Sequence, residues 1–290
     1  MKILISTDTS CLLNYEVLGK NQISVFPLNV IIDGQEYLDG VTIKQDFLLK
    51  EMLDNKTIKT STPPMGEVIQ YFENIFEKGY DYVIHFTISS KLSSMYSLFS
   101  QVSKNFFEDK VKVIDSYSVS TLMLSHVLFA QDEVLKGTDV NTICDKIEKR
   151  KEKSYVCFIP ENLTALKNGG RISPAIAAIG NVVGLKPVIM LSEGQLVKDS
   201  MTRHANKSFR EHMYKALENF PVSEYDYSLI SFGADEKMLK IVYENMKNGI
   251  GEENIITGII PINVCAHCGP GTIGVVTSPK INGQSLKNFI

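Results

Sequence analysis

The sequence predicts two α/β domains: the N-terminal one a mostly parallel sheet flanked by helices, the C-terminal one a mixed sheet with helices mainly on one face. Three observations carry that expectation. The 290-residue chain is 44% hydrophobic, more apolar material than one core usually grows to hold. Through the first half, β-branched apolar runs alternate with segments of helical period, as strands joined by crossover helices do. After the charged stretch Lys146–Lys153 the helical segments become fewer and more charged. The boundary is therefore expected near residue 155, giving domains 1–155 and 156–290.

Lys2–Ser6, Ile23–Ile32, Tyr82–Ile88 and Val111–Asp115 are the predicted strands of the first domain. Between them Met65, Val68, Ile69, Phe72, Ile75 and Phe76 fall at helical spacing, with Pro63-Pro64 before the segment and Gly79 after it. Helices are also expected from about Ser94 to Phe107 and from Val119 to Lys136. In the second domain Ser154–Ile159, Lys186–Leu191, Tyr227–Phe232 and Ile255–Val264 read as strands.

Thirty basic against 33 acidic residues leave a net charge of −3, which offers no electrostatic footprint for nucleic acid. The five cysteines are scattered and odd in number, unlike a secreted disulfide framework, and fit a reducing cytoplasm. Met1-Lys2 leads straight into a strand rather than into the apolar stretch of a signal peptide, and no apolar run reaches the ~18 residues of a membrane span. A cytoplasmic protein is the expectation.

Polar segments stand where strands end or helices begin, which is where α/β proteins keep their ligands. Thr7-Asp8-Thr9-Ser10 follows the first strand, Lys59–Thr62 precedes a helix, and Ser89–Ser94 joins a strand to the next helix. Each can place hydroxyls and free N–H groups at a helix N-terminus, a ready site for a small anion. Ordinary capping accounts for one such residue per helix and accounts less well for runs of them. In Leu166–Ser173, Gly169-Gly170 supplies a turn, Arg171 follows it, and Ser173 can cap a helix. Arg171 and Arg203 suit a carboxylate or phosphate, or a surface ion pair.

Cys265–Gly274 invites three further readings. Cys265-x-x-Cys268 lacks the second pair that a structural zinc needs, so no metal is expected. A redox pair should open a helix, and Gly269-Pro270-Gly271 does not look like one. Gly269, Gly271 and Gly274 match G-x-G-x-x-G but lead into a strand, where a dinucleotide site needs a helix. What remains is His267 on an expected strand end, whose bland reading is a hydrogen-bonded core histidine.

Taken together these segments resemble the DegV family of bacterial fatty-acid-binding proteins over essentially the whole chain. Thr7–Ser10 resembles its T-D-S-T loop, Thr60–Pro63 its T-S-x-P, and Ser89–Ser94 its S-S-x-L-S-G. Val113–Ser116 is similar to V-I-D-S, Leu166–Ser173 to L-x-x-G-G-R-I-S, Leu185–Pro187 to L-K-P, and His267–Gly274 to H-x-G-x-G-x-x-G. Lys91, Ser94 and Cys268 depart from the residues common in the family at those positions.

The resemblance implies a long-chain fatty acid buried between two α/β domains, as bound ligand and with no other cofactor. Carried over by motif, Thr60, Ser93 and His267 hold its carboxylate, and Ser61 is a further candidate. About fifteen buried methylenes at ~0.8 kcal/mol each offer at most roughly 12 kcal/mol before the costs of binding. Some members of the family are the carrier subunit of a fatty acid kinase, so the catalytic subunit of such a kinase is the implied partner. Arg171 and Arg203 would then serve docking or the transferred phosphate.

Two other classes compete. A serine hydrolase would use Ser93 as nucleophile and His267 as base, with Asp8 or Asp115 orienting the ring, but the G-x-S-x-G elbow is absent around Ser93. A small-anion or lipid sensor would use the same hydroxyls and imidazole without a kinase. No G-x-x-x-x-G-K-[ST] occurs to support a nucleotide-binding enzyme.

Overall fold

The computed structural model describes residues 1–11, 15–108, 110–171 and 184–290. The first half runs β1 (Ile3–Asp8), α1 (Tyr15–Lys20), β2 (Ser24–Phe26), β3 (Asn29–Ile32), β4 (Gln35–Leu38), α2 (Gln45–Leu53), β5 (Ile58–Ser61), α3 (Met65–Phe76), β6 (Tyr82–Thr87), α4 (Met95–Phe106), β7 (Val111–Asp115), α5 (Ser120–Leu135) and α6 (Val140–Lys151). The second runs β8 (Tyr155–Ile159), α7 (Thr164–Asn168), β9 (Lys186–Ser192), β10 (Gln195–Thr202), α8 (Ala205–Leu217), β11 (Tyr225–Phe232), α9 (Glu236–Ile250), β12 (Ile255–Ile259), α10 (Ile262–Cys268) and β13 (Thr272–Pro279). Ser173, expected to cap a helix, lies outside the described residues.

The first sheet has the order β2-β1-β6-β7 and is parallel throughout. Its central strands are buried on both faces, so they read as continuous apolar runs rather than as alternating ones. The alternation is nonetheless there in the packing. Leu4 and Val83 point to a core shared with α3 and α4, whereas Ile5 and Ile84 point to one shared with α5 and α6.

The second sheet has the order β10-β9-β8-β13-β11-β12, with β11 and β12 parallel and the other neighbours antiparallel. Cys157, Leu229, Ile273 and Val275 face Phe209 and Met213 of α8 and Val242 and Met246 of α9. On the other face Val156, Ile230, Phe232 and Val276 pack against Val30, Leu48 and Leu122 from the first half. Helices α8 and α9 thus cover one face, as expected, and the first half of the chain together with α10 covers the other.

Two expected strands are shorter than the sequence suggests, and a proline accounts for each. Ile23–Ile32 is two strands in different sheets: β2 joins the parallel sheet, while β3 lies between β4 and β5 in a separate antiparallel one. Pro27, between them, has no N–H to give a ladder. Ile255–Val264 stops as a strand at Ile259, and Pro261 is the N-cap of α10. His267 and the Cys265-x-x-Cys268 pair therefore stand on a helix and not on a strand end. Likewise Lys59–Ser61 belongs to strand β5.

His85 of β6 is fully buried, with Nδ1 2.8 Å from Ser6 Oγ and its ring stacked on Phe99 at 4.2 Å. Burial lowers its pKa from 6.5 to about 3. The unfolded chain takes up this proton below pH 6.5 and the folded state refuses it, so the contribution to stability is full above that pH and is lost as pH falls towards 3. Between pH 6 and 4 this one site gives a slope of about 1.4 kcal/mol per pH unit. Denaturant titrations across that range are expected to show a slope shallower by about that amount in His85→Gln; an unchanged slope would show that the ring is protonated in the folded state.

Candidate functional site

The parallel order β2-β1-β6-β7 places the reversal of strand order between β1 and β6, where open α/β sheets bind ligands beyond the carboxyl ends of their strands. Asp8, the last residue of β1, spans that point by accepting hydrogen bonds from the N–H groups of Ser10 at 2.8 Å and Ile88 at 2.9 Å. Burial raises its pKa to about 6. The neighbouring loops are tied together in turn. Ser89 donates its N–H to the Ser118 carbonyl at 3.1 Å. Its hydroxyl donates at 2.7 Å to the Gly194 carbonyl at the tip of the β9-β10 hairpin.

Above these loops lies a cavity with about 1160 Å³ of empty space, including its open mouth. Its wall is apolar over much of its extent, with Leu28, Ile88, Val156, Phe158, Ile230 and Val276 among its residues. The strand register explains how the second sheet forms that wall. Val156 pairs with Val276 and with Leu191, and Phe158 and Ile230 flank Gly274 from either side. Gly274 leaves room between those two side chains, since a Cβ there would stand 3.1 Å from Ile230 Cγ1.

Thr60, Ser61, Ser93, Arg171 and His267, from four separate stretches of sequence, all line this cavity. Antiparallel pairing of Thr60 with Val30 fixes the end of β5 there, and Pro63-Pro64 turns the chain into α3. Ser93 lies in the turn before α4, where its Oγ accepts from Met95 N–H at 3.4 Å and its own N–H donates to the Ser89 carbonyl at 3.1 Å. A hydrogen bond of 2.8 Å between Ser94 Oγ and Thr62 Oγ1 holds this loop to the end of β5.

His267 joins the two halves of the chain. Its Nε2 is 2.8 Å from Thr60 Oγ1, while Nδ1 has no partner among the described residues. Burial first, and the nearby Arg171 charge second, lower its pKa to about 4, so the imidazole is neutral at neutral pH. Arg171 donates from Nε to the Leu92 carbonyl at 3.2 Å and from Nη1 to the Gly169 carbonyl at 2.5 Å. It thereby reaches from the α7 segment to the loop carrying Ser93, with no carboxylate paired to it among the described residues.

Gly169 has a role that a turn does not explain. Its φ is −76°, accessible to any residue, but a Cβ there would stand 2.2 Å from His267 Nδ1. The missing side chain is what lets the end of α7 pack on the imidazole; the left-handed residue of the pair is Gly170, with φ of 66°. Asn263 is the other residue that sequence reasoning misses. It lines the cavity one helical turn before His267, and a reading of this segment as a helix would have placed the two on one face.

Not every expected residue converges. Arg203, in the turn between β10 and α8, is exposed and does not line the cavity. Lys91 is exposed beside Ser93. Asp115 Oδ1 accepts from the N–H groups of Ser90 and Tyr117, at 3.0 and 3.2 Å. Cys265 donates its thiol to the Ile260 carbonyl at 3.2 Å. Among the described residues no group of three or more His, Cys, Asp or Glu side chains is placed to hold a metal ion, and no helix is long and apolar enough to cross a membrane.

A DegV domain-containing protein of Clostridium acetobutylicum is 28% identical over 284 residues, covering 96% of this chain and 99% of the relative. Among solved structures, a DegV family protein from Thermus thermophilus described by its fatty acid binding superposes with a TM-score of 0.86 at 25% identity, over 96% of this chain and 100% of that one. A stearic acid-binding protein from Eubacterium ventriosum gives the same TM-score and identity over 97% of this chain and 99% of its own. The family profile described as "Uncharacterised protein, DegV family" matches residues 2–280, so the chain belongs to the DegV family.

Proposed function

We propose that this protein binds one long-chain fatty acid in the cavity, with the carboxylate on Thr60, Ser93 and His267, assisted by Ser61, and the tail along the apolar wall. The observation that carries the reading is the Thr60–His267 hydrogen bond, with Ser93 and the Arg171 guanidinium, which has no carboxylate partner among the described residues, lining the same largely apolar cavity. A buried carboxylate is costly without partners, and these groups can donate hydrogen bonds to it. Neutral His267 contributes a hydrogen bond rather than a full charge, which leaves Arg171 as the cation facing the head group. The fatty-acid-binding relatives from Thermus thermophilus and Eubacterium ventriosum support this reading by their likeness in fold and length.

Native mass spectrometry, followed by identification of the released ligand, is expected to find a stoichiometric fatty acid. Ser93→Ala and His267→Ala are expected to weaken binding by tenfold or more each, equivalent to at least about 1.4 kcal/mol. A purified protein that is empty and takes up no added fatty acid sinks the proposal. Gly169→Ala, which touches no ligand atom in this reading, is expected to lower affinity by a similar factor through displacement of the His267 ring. Wild-type affinity in that variant would show that the ring is held independently of α7.

The same reading makes the protein a cytoplasmic carrier that presents its ligand to a fatty acid kinase. In that step a carboxylate oxygen attacks the terminal phosphorus of a nucleoside triphosphate and the diphosphate leaves. Arg171 at the cavity and exposed Arg203 are assigned to the transferred phosphate and to docking. Acyl-phosphate formation by the kinase should fall at least tenfold in the double variant Arg171→Ala/Arg203→Ala while fatty acid remains bound, and full activity would overturn the assignment. The hydrolase alternative lacks support in the geometry. Asp8 bonds to Ser10 and Ile88, Asp115 bonds to Ser90 and Tyr117, and neither orients His267.

A further inference from the structure

A second polar position lies in the wall of the same cavity. Asn263 is 5% exposed and tightly held: its Nδ2 donates to Ser10 Oγ at 2.6 Å and its backbone N–H to Asp39 Oδ2 at 3.0 Å. Its Oδ1 is buried and has no hydrogen-bond partner among the described residues. Ser120 is 3% exposed, lines the cavity as Asn263 does, and likewise has a buried hydroxyl without a partner there. The two residues border the same short turn, Thr9–Cys11. Ser10 holds Asn263, and Cys11 packs in one core with Met123 and Leu124 of α5.

Ser120 opens α5 with a φ of 60°, a backbone conformation that suits glycine far better than serine. No side chain caps this 16-residue helix, whose first N–H groups lack intrahelical partners as those of any helix do. The buried wall therefore offers an unpaired acceptor, an unpaired hydroxyl and a helix N-terminus. Leaving such groups unsatisfied is costly. A keto oxygen would satisfy the donors alone, and an aliphatic chain would satisfy none of them. A hydroxyl both accepts and donates, so it can answer both sides.

We infer that the cavity selects fatty acids carrying a hydroxyl, whose O–H donates to Asn263 Oδ1 while its oxygen accepts from Ser120. The inference rests on the proposed fatty acid site and adds the substrate class. Its position follows from α10: Asn263 precedes His267 by four residues, about 6 Å along the helix. The recognised hydroxyl is accordingly near the carboxyl end of the chain and not at its middle or far end.

The test is calorimetric titration of delipidated protein with three ligands: stearate, stearate hydroxylated within the first few carbons, and stearate hydroxylated at mid-chain. The near-carboxyl hydroxy acid is expected to bind about tenfold or more tighter than stearate, since a site built for a hydroxyl discriminates against the chain lacking it. That ratio is expected to collapse towards one in Ser120→Gly and in Asn263→Leu. Ser120→Gly fits the local backbone, so it decides the matter if Asn263→Leu does not fold. Binding of all three ligands without preference would overturn the inference and leave the fatty acid site standing, with water satisfying the orphan groups. A mid-chain preference would overturn the assigned position. Failure of all three to bind would remove the fatty acid site and this inference with it.

Discussion

The six-stranded sheet has two apolar faces, helices α8 and α9 cover only one of them, and the rest of the architecture follows from that constraint. Exposing Val156, Ile230, Phe232 and Val276 would cost about 1.5–3 kcal/mol for each large side chain. The face is covered instead by Val30, Leu48 and Leu122 of the first half. The small antiparallel sheet, with helices α2 and α5, meets the mixed sheet in this way along an apolar seam. Where the seam does not close, it leaves a cavity whose wall is already apolar and whose rim carries the loops of the parallel sheet. The site is thus a gap in the packing between the mixed sheet and the first half of the chain, which is why its residues come from so many separate segments.

Charge is distributed around that gap with an unusual bias. Asp8 and Asp39 are buried beside it, and burial raises their pKa values to about 6 and about 7. His267 is held neutral. Among the described residues that line the cavity, Arg171, placed at the loop carrying Ser93, is the one lysine or arginine. An anion in the cavity meets hydroxyls and one guanidinium on one side and a wall poor in counter-charge elsewhere, which favours a ligand with a single charged end.

Much of this was legible in the sequence, because hydrophobic period and strand-end hydroxyls are local signals. The parallel sheet and helices α3 to α5 are in place, and Thr60, Ser61, Ser93, Arg171 and His267 line one cavity. Missed features have physical reasons. Ile23–Ile32 and Ile255–Val264 are apolar on both sides of a proline, and period alone does not show that Pro27 and Pro261 end a ladder. Reading past Pro261 turned α10 into a strand, and with it hid the one-turn spacing of Asn263 and His267. Gly169 reads as turn chemistry because its contact is with a residue 98 positions away, which no local signal records.

His267 shows why that long-range contact governs more than local shape. Its ring lies between Thr60 of β5, in the first half, and Gly169 at the end of α7, in the second. Arg171 closes the circuit by bonding Gly169 and Leu92. In the proposed reading, a ligand oxygen inserted among these groups takes over hydrogen bonds that now run between the halves, so its binding energy is also adhesion between them. Anything that binds the folded state and not the unfolded one stabilises it by mass action. Here that stabilisation is directed at the seam itself. At the cavity the halves are joined by the Thr60–His267 hydrogen bond and by the Arg171 guanidinium shared between carbonyls, and in the proposed reading a carboxylate there gives that guanidinium a full charge to meet. Ligand binding and adhesion between the halves therefore draw, in that reading, on the same few side chains.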